Sequence, residues 1–384
     1  MWAFLTSLSC TLALPVAQEA PLPADQAPLP WSLTWRGFPR LTAPGPIWID
    51  FHNRFSLDSL IAAGRQAGGE SPGNDNSTRT ARLQAFLESP WVTGRAQWEF
   101  SGNDIDFREL SILTEVPGVH FTAGQTREPA GLGALIGAGQ QPFPERSATT
   151  QAFTPGRNLG LVGRVRSGPW SAWLGAFRAS EEFSFNPQGE GESVTARAVW
   201  VDGDTVPDQD FLHLGFWLSQ RNNGLLFESR PGVQLLPRLI STGPLGSADA
   251  LVGGLEFGWQ RNGWTVNAEL QAANIDLVGD SALLSGAVVE ASWRPAGEVR
   301  GYARGKGAFR GFIPNNPAGA AELALRVGRT ELDDGSINGG TQNDIGFGLN
   351  VQLSERSRWM LHWQRSRAGD ADVRTILFRL QLGR

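Results

Sequence analysis

The sequence predicts an all-β chain, a transmembrane antiparallel β-barrel of about sixteen strands, and three observations predict it. Hydrophobic side chains recur with a period of two, tryptophans bound the apolar faces, and no apolar run after the N-terminal segment approaches the ~20 residues that a spanning helix needs. Residues 81–88, ARLQAFLE, place Ala81, Leu83, Ala85 and Leu87 on one face and Arg82, Gln84, Phe86 and Glu88 on the other. GRAQWEFS, from Gly94, repeats the pattern with Arg95, Gln97 and Glu99 on the polar side. WTVNAELQ, from Trp264, and DIGFGLNVQL, from Asp344, do so again, the latter opposing Ile345, Phe347 and Leu349 to Gly346, Gly348 and Asn350.

A soluble β-sandwich also alternates, since each of its sheets has a core face and a wet face. Two features favour the membrane. Trp98, Trp170, Trp259, Trp264, Trp293, Trp359 and Trp363 bound the apolar faces, as an interfacial girdle requires, and the polar faces carry charged and amide side chains with glycine where bulk would crowd a lumen. Tight turns such as RSGPW (166–170) and QRNGW (260–264) alternate with longer linkers such as RQAGGESPGNDNSTR (65–79), which predicts short turns at one end of the barrel and long loops at the other. At about 20 residues per strand and connection, roughly sixteen strands fit the chain, and fourteen or eighteen also fit. No repeat and no second domain is visible.

The N-terminus, MWAFLTSLSCTLALPVAQEA, reads as a secretory signal peptide over residues 1–17, without the usual basic residue near its start. A proline-rich linker (18–30) follows, and the barrel domain takes residues 31–384. The only cysteine, Cys10, lies in the leader, so the mature chain has no disulfide and no cysteine chemistry. His52, His120, His213 and His362 form no motif, and no cofactor or metal is expected. A net charge of -5 gives no footprint for nucleic acid. The basic residues are unusual in kind: of 33, only Lys306 is a lysine. Codon usage is the plainest cause, while arginine brings a permanent charge and a planar fork suited to carboxylate and phosphate.

PERSATTQAFTPGRNLG, residues 144–160, is too broken by Pro and Gly to be expected to pair, yet it holds Arg146 and Arg157. With GQTREP (124–129), ERS (145–147), PGRNLG (155–160), RPAGEVRGY (294–302), AAELALRVGRTELDDG (320–335) and the run 344–367, the chain resembles the phosphate-selective porin family of Gram-negative outer membranes over most of residues 80–384. The resemblance implies an outer-membrane channel for passive diffusion of small anions, phosphate or polyphosphate among them, with this segment folded inward as a constriction loop. A broken backbone is tolerated at membrane depth where it lines water. Arginines there concentrate anions by focusing the field between low-dielectric walls. The residues implied are Arg146 first, Arg127 and Arg157 on the loop motifs, and Arg82 on the wall. Strand parity adds Arg95, Arg164 and Arg166 to the lumen face. The alternative is that such arginines pair with Glu128, Glu145 and other loop acids to shape the loop. The resemblance also implies outer-membrane lipid, lipopolysaccharide and the barrel assembly machinery as partners, and a homotrimer.

The sequence departs from the family in two ways. Lysines that line the channel in phosphate-specific members have no counterpart, and the chain ends in Arg384 where an aromatic residue is usual. Two other classes compete with a channel. A barrel enzyme needs a serine and histidine on the lipid-facing wall, but parity turns His362 inward and no GxSxG elbow accompanies it. A soluble secreted sandwich binding carbohydrate through its tryptophans is the other alternative. The carboxylate pairs Glu181/Glu182 and Asp333/Asp334 sit in loop-like sequence and are read as solvated rather than catalytic, with weak binding of divalent cations as the alternative.

Overall fold

The computed structural model describes residues 31–35, 38–66, 71–179, 191–202 and 210–383. The expected leader and linker, and the Glu181/Glu182 pair, lie outside the described residues. In chain order the elements are β1 (Ser32–Trp35), β2 (Pro39–Thr42), β3 (Trp48–Arg65), β4 (Asp75–Glu88), β5 (Val92–Glu99), β6 (Asp106–Val116), β7 (Val119–Arg127), α1 (Leu132–Leu135), α2 (Ala148–Phe153), β8 (Arg157–Ser167), β9 (Trp170–Arg178) and β10 (Glu192–Val201). There follow β11 (Phe211–Asn222), β12 (Glu228–Ser229), β13 (Ile240–Ser241), β14 (Asp249–Arg261), β15 (Trp264–Leu277), β16 (Asp280–Trp293), β17 (Tyr302–Ala303), β18 (Ala308–Phe309), β19 (Ala320–Asp334), β20 (Ile337–Ser354), β21 (Ser357–Ala368) and β22 (Ala371–Gly383).

Sixteen of these strands, β3–β11, β14–β16 and β19–β22, form a closed antiparallel barrel. Each pairs with its neighbour, and β22 returns to β3 in a register running from Asp372 opposite Arg65 to Gly383 opposite Arg54. Closure leaves the backbone of the wall satisfied in lipid. The β1–β2 hairpin continues the seam, pairing β2 with the start of β3 beyond the point where β22 ends. Alternation holds around the wall. Leu83, Leu110, Leu161, Leu174, Leu255, Leu270 and Phe347 stand exposed on the outside while Gln97, Arg197, Thr265, Glu269 and Asn350 are buried inside. At the β14–β15 turn, Asn262 and Gly263 take φ of 48° and 78°, the left-handed pair of a two-residue hairpin.

Most outward tryptophans gather at one end. Trp48, Trp170, Trp264, Trp293 and Trp359 sit at or near the strand ends there, beside the turns 168–169, 262–263 and 355–356, and Trp264 stacks on Trp293 at 5.6 Å. Two of those expected in the girdle do not: Trp98 stands at the opposite end of β5 and Trp363 in the middle of β21. Trp173 and Trp217, by contrast, point inward and are buried.

The expected asymmetry of turns and loops holds in part. The opposite end carries the connections 66–74, 100–105, 128–156, 179–191 and 223–248, but also two-residue hairpins at 278–279, 335–336 and 369–370. The girdle end carries two long connections, 202–210 and 294–319. The physical reason is that the long connections do not all project outward: 128–156, 223–248 and 294–319 turn into the barrel. Leu225, Phe227 and Ile240 pack on Val252, Ala273, Ile275 and Leu284 of the wall. Val233 and Leu236 reach Leu60, Val373 and Leu377. From the girdle end, Tyr302 and Phe309 pack on Trp173, Phe177, Val199 and Phe211. The lumen expected to be wet throughout is therefore apolar and filled along much of β9–β16.

Candidate channel constriction

The 128–156 connection is anchored at its root by Glu128, whose buried carboxylate accepts from Asn158 (2.6 Å), Ser193 (2.9 Å) and Thr195 (2.6 Å). The Gly133 amide then donates to Glu269 (2.9 Å). Beyond α1 the chain crosses toward β19–β22 as an irregular run whose backbone carbonyls have no strand partner, and wall side chains supply the donors. Gly139 accepts from Gln381 (3.1 Å), Gln141 from Arg358 (2.7 Å) and Pro142 from Asn350 (2.8 Å). Pro144 accepts from Arg379 (2.6 Å), Glu145 from Arg326 (2.7 Å), and Gln140 from Arg300 of the 294–319 connection. Phe143 lies under the Arg326 guanidinium at 4.1 Å. A segment rich in Pro and Gly thus satisfies its buried carbonyls without regular structure.

The expectation that 144–160 does not pair is corrected by the structure. The Ser147 side chain accepts from the Thr150 amide (3.1 Å) and caps α2, and β8 begins at Arg157. The run ATTQAF between two prolines is long enough for one capped turn and a half. Thr149 bonds Thr330 (2.9 Å) and Arg221 donates to the Phe153 carbonyl (3.0 Å), fixing the helix to the wall.

Two buried carboxylates hold the inward segments together. Glu322 on β19 accepts from Arg294 (2.9 Å), Arg300 (2.7 Å), Arg358 (3.0 Å) and Asn350 (3.0 Å), joining the 294–319 connection to the donors that clasp the loop. Glu256 on β14 pairs with Arg197 (2.6 Å), which donates onward to the Lys306 and Gly307 carbonyls at 2.8 and 2.7 Å. His213 bridges Glu256 (3.1 Å) and the Tyr302 hydroxyl (2.6 Å).

Inward side chains are less tightly covered along β3–β8, where Arg54, Arg95, Arg127 and Arg157 are only part-buried, and the sequence-predicted residues fall as follows. Arg82 is buried against Glu99 (2.6 Å). Arg95 pairs with Glu109 (2.9 Å), and Arg157 reaches the same carboxylate at 3.4 Å. Arg127, at the end of β7, makes no side-chain hydrogen bond or ion pair among the described residues and lies in the field of Arg146, Arg157 and Arg108. Arg146 donates to the Ala134 and Ile136 carbonyls of its own loop at 2.9 and 3.3 Å, and its Nε has no partner. Arg164 is half-buried near Gly305 toward the girdle end, and Arg166 is exposed at that rim. Arg82, Arg95, Arg127, Arg146 and Arg157 come together; Arg164 and Arg166 lie apart, toward one mouth. The alternative pairing of loop arginines with Glu128 or Glu145 does not hold for Arg146 or Arg157, because Glu128 is taken by neutral donors and Glu145 by Arg79 (2.7 Å) and Arg379 (2.8 Å).

The loop groups are electrostatically tuned. Burial by itself raises the Glu145 carboxyl, but the Arg79 and Arg379 guanidiniums overcome it and hold the group well below the usual carboxylate range. Burial and the neighbouring Arg157 push Arg146 down to about 10, which leaves it charged at neutral pH. Lys306 faces lumen water at the tip of the 294–319 connection; enclosure by the walls, with Arg95 and Arg157 nearby, pushes it down to about 8 against the attraction of Glu109.

Sequence reasoning missed the clasping residues Glu322, Arg358, Arg379, Arg326 and Arg197. Parity alone turns all five inward, so an inward charge on consecutive strands was the available signal. It also set Lys306 aside because the lysine is alone in sequence, whereas the fold brings it to the Arg95, Glu109 and Arg157 cluster. Asp333 and Asp334 are exposed, as read, but at the end of β19 rather than in a loop, and Asp333 accepts from the Gly340 amide and Asp334 from the Leu283 amide, each at 2.7 Å.

Comparison with known proteins agrees with this architecture. A protein of Caulobacter vibrioides described as uncharacterized is 28% identical over 362 residues, covering 86% of this chain and 71% of its own. The anion-selective porin from Comamonas acidovorans superposes with a TM-score of 0.60 at 12% identity, over 88% of this chain and all of that one. OmpT of Vibrio cholerae, in its trimer form, does so with a TM-score of 0.55 at 8% identity, over 88% and 99%. The sequence model of phosphate-selective porin O and P matches residues 93–374, and with a sixteen-stranded barrel narrowed by inward loops the chain belongs to that family, as a porin of the outer membrane.

Proposed function

We propose that this porin passes small anions, phosphate-like ones among them, by passive diffusion along the β3–β8 side of the lumen. The observation that carries the reading is the convergence of Arg54, Arg79, Arg82, Arg108, Arg127, Arg146, Arg157 and Lys306 on one passage, opposed by Glu99, Glu109 and Glu145. Excess positive charge between low-dielectric walls raises the local concentration of anions and repels cations. Within a Debye length of about 8 Å at physiological salt these charges act on a passing ion as a group. The Comamonas acidovorans porin is described as anion-selective, and its likeness in fold supports the same reading.

Export by the leader at 1–17, insertion by the barrel assembly machinery, and assembly into a homotrimer belong to the same proposal. The last rests on the trimer form of the Vibrio cholerae relative. The test is reversal potential across a planar bilayer under a salt gradient, with and without added phosphate. Anion-selective steps that phosphate blocks, and that Arg146→Ala weakens, support the reading. Cation-selective or unselective steps overturn it.

A further inference from the structure

A second set of arginines lies on the outside of the barrel. Backbone pairing brings Arg329, Asn343, Arg367, Asp372 and Arg65 into one row across β19, β20, β21, β22 and β3. The adjacent row, nearer the girdle end, reads Val327, Ile345, Arg365, Arg374 and Ala63. The next is wholly apolar: Leu325, Phe347, Trp363, Ile376 and Ile61. All these side chains point away from the lumen, since Val373, Thr375 and Leu377 between them are buried. The arginines therefore stand directly on the lipid-facing band, toward the end that bears the longer loops.

The charge in this patch is unbalanced. Asp372 alone is shared by Arg365, Arg367 (3.4 Å) and Arg374 (3.8 Å), while Glu331 takes Arg329 at 3.1 Å. Arg367, Arg374 and Arg329 are each 57% exposed, so their forks have donors to spare. Elsewhere on the same rim the charges cancel or are acidic: Arg178 faces Glu192 across β9 and β10, and Asp249 faces Asp276 across β14 and β15. Lipid offers nothing to an uncompensated arginine, so the row needs an anion at the level of the headgroups.

We propose that β19–β22 and β3 carry a binding site for the acidic sugar headgroup of an outer-leaflet glycolipid, with Arg365, Arg367 and Arg374 as its centre and Arg329 and Arg65 as its flanks. Three features fit that occupant. The end with longer loops is the outer one in barrels of this kind, which puts the patch at the outer leaflet. A guanidinium binds phosphate or carboxylate through two parallel hydrogen bonds. The apolar rows below, from Trp363 and Ile376 downward, offer a wall for acyl chains attached to that headgroup.

The test uses the full-length porin in detergent, titrated with bisphosphorylated lipid A and with its dephosphorylated counterpart, and read by native mass spectrometry. Arg365→Gln, Arg367→Gln and Arg374→Gln are combined in one variant, and Arg178→Gln serves as the control. Heat-modifiable gel mobility and unchanged conductance confirm the fold of each. The expected result is at least tenfold weaker binding of bisphosphorylated lipid A by the triple variant, no change in the control, and no protection by millimolar inorganic phosphate. Equal binding by wild type and triple variant overturns the proposal, as does equal binding of the dephosphorylated lipid. Loss of an oligomer in the triple variant with lipid binding intact assigns the row to a contact between subunits and overturns it equally.

Discussion

Glu322→Gln is the sharpest perturbation that the clasped loop offers. The carboxylate is fully buried and is shared by Arg294, Arg300 and Arg358, all buried themselves. Removing one partner of a buried ion pair costs about 3–5 kcal/mol, because an uncompensated charge is left behind. Little of that cost falls on the wall, since the backbone pairing of Glu322 with Asn350 is untouched by the substitution. It falls on the docked state of the inward segments, because Arg300, Arg358 and Asn350 are the groups that hold the carbonyls of Gln140, Gln141 and Pro142. At about 1.4 kcal/mol per factor of ten, the docked fraction relative to the undocked falls by roughly two to four orders of magnitude. Planar-bilayer recording of the variant is expected to show a larger mean conductance with open-channel noise, and proteolysis in detergent is expected to cut between residues 128 and 156. Heat-modifiable mobility stays, because the barrel remains closed. A quiet channel of unchanged conductance, with the loop still protected, refutes the reasoning.

Three further outcomes are expected. Lys306 titrates near 8, so its charge is present below that pH and lost above it; the anion-to-cation permeability ratio falls as pH rises through about 8, and Lys306→Met is flat at the lower level. Arg127→Ala lowers selectivity without lowering stability, having no partner to orphan, whereas Arg82→Ala leaves Glu99 short of its closest ion pair and lowers the unfolding temperature in detergent. Gly286→Val on β16 crowds α2: a Cβ there stands 2.8 Å from Thr149 Cγ2 and 3.1 Å from the Phe153 ring, so the helix is displaced at a cost of about 1–3 kcal/mol and conductance changes. Unchanged single-channel conductance in that variant counts against a docked α2.

The wall was legible because its pattern is local. Period-two runs such as WTVNAELQ and DIGFGLNVQL lie on β15 and β20 with the expected faces, and the turns at Gly168 and Gly263 fall where the sequence places them. The filled lumen was not legible, because its contacts join residues far apart in the chain. Tyr302 meets His213 across 89 residues and Arg379 meets Pro144 across 235, and neither pairing leaves a trace in local periodicity. Phe309 and Leu236 look like any loop hydrophobics until Phe211 and Leu60 are found opposite them. Arg146 was legible from its motif. Its role was not, because whether a loop arginine is tied or free depends on who else reaches Glu145, and those residues are Arg79 and Arg379.

The near absence of lysine has a structural use beyond codon preference. Each clasping arginine reaches at least two anchors at once: Arg326 bonds Glu290 and the Glu145 carbonyl, Arg358 bonds Glu322 and the Gln141 carbonyl, and Arg379 bonds Asp58, the Glu145 carboxylate and the Pro144 carbonyl. A planar fork with five donors can pair with a wall carboxylate along one edge and a loop carbonyl along the other; an ammonium concentrates its donors at one point and shifts its pKa readily when enclosed. The arginines so engaged have their charge answered by Asp58, Glu145, Glu290 and Glu322, while Arg127 and Arg146 have no carboxylate bonded to them. One residue type thus does two jobs in a single lumen: it clasps the loop on the β19–β22 side, and it lines the β3–β8 side, where Arg82, Arg95 and Arg157 share Glu99 and Glu109 while Arg127 and Arg146 have no bonded carboxylate. The exposed Lys306, placed where no clasp is needed, is the exception consistent with that division.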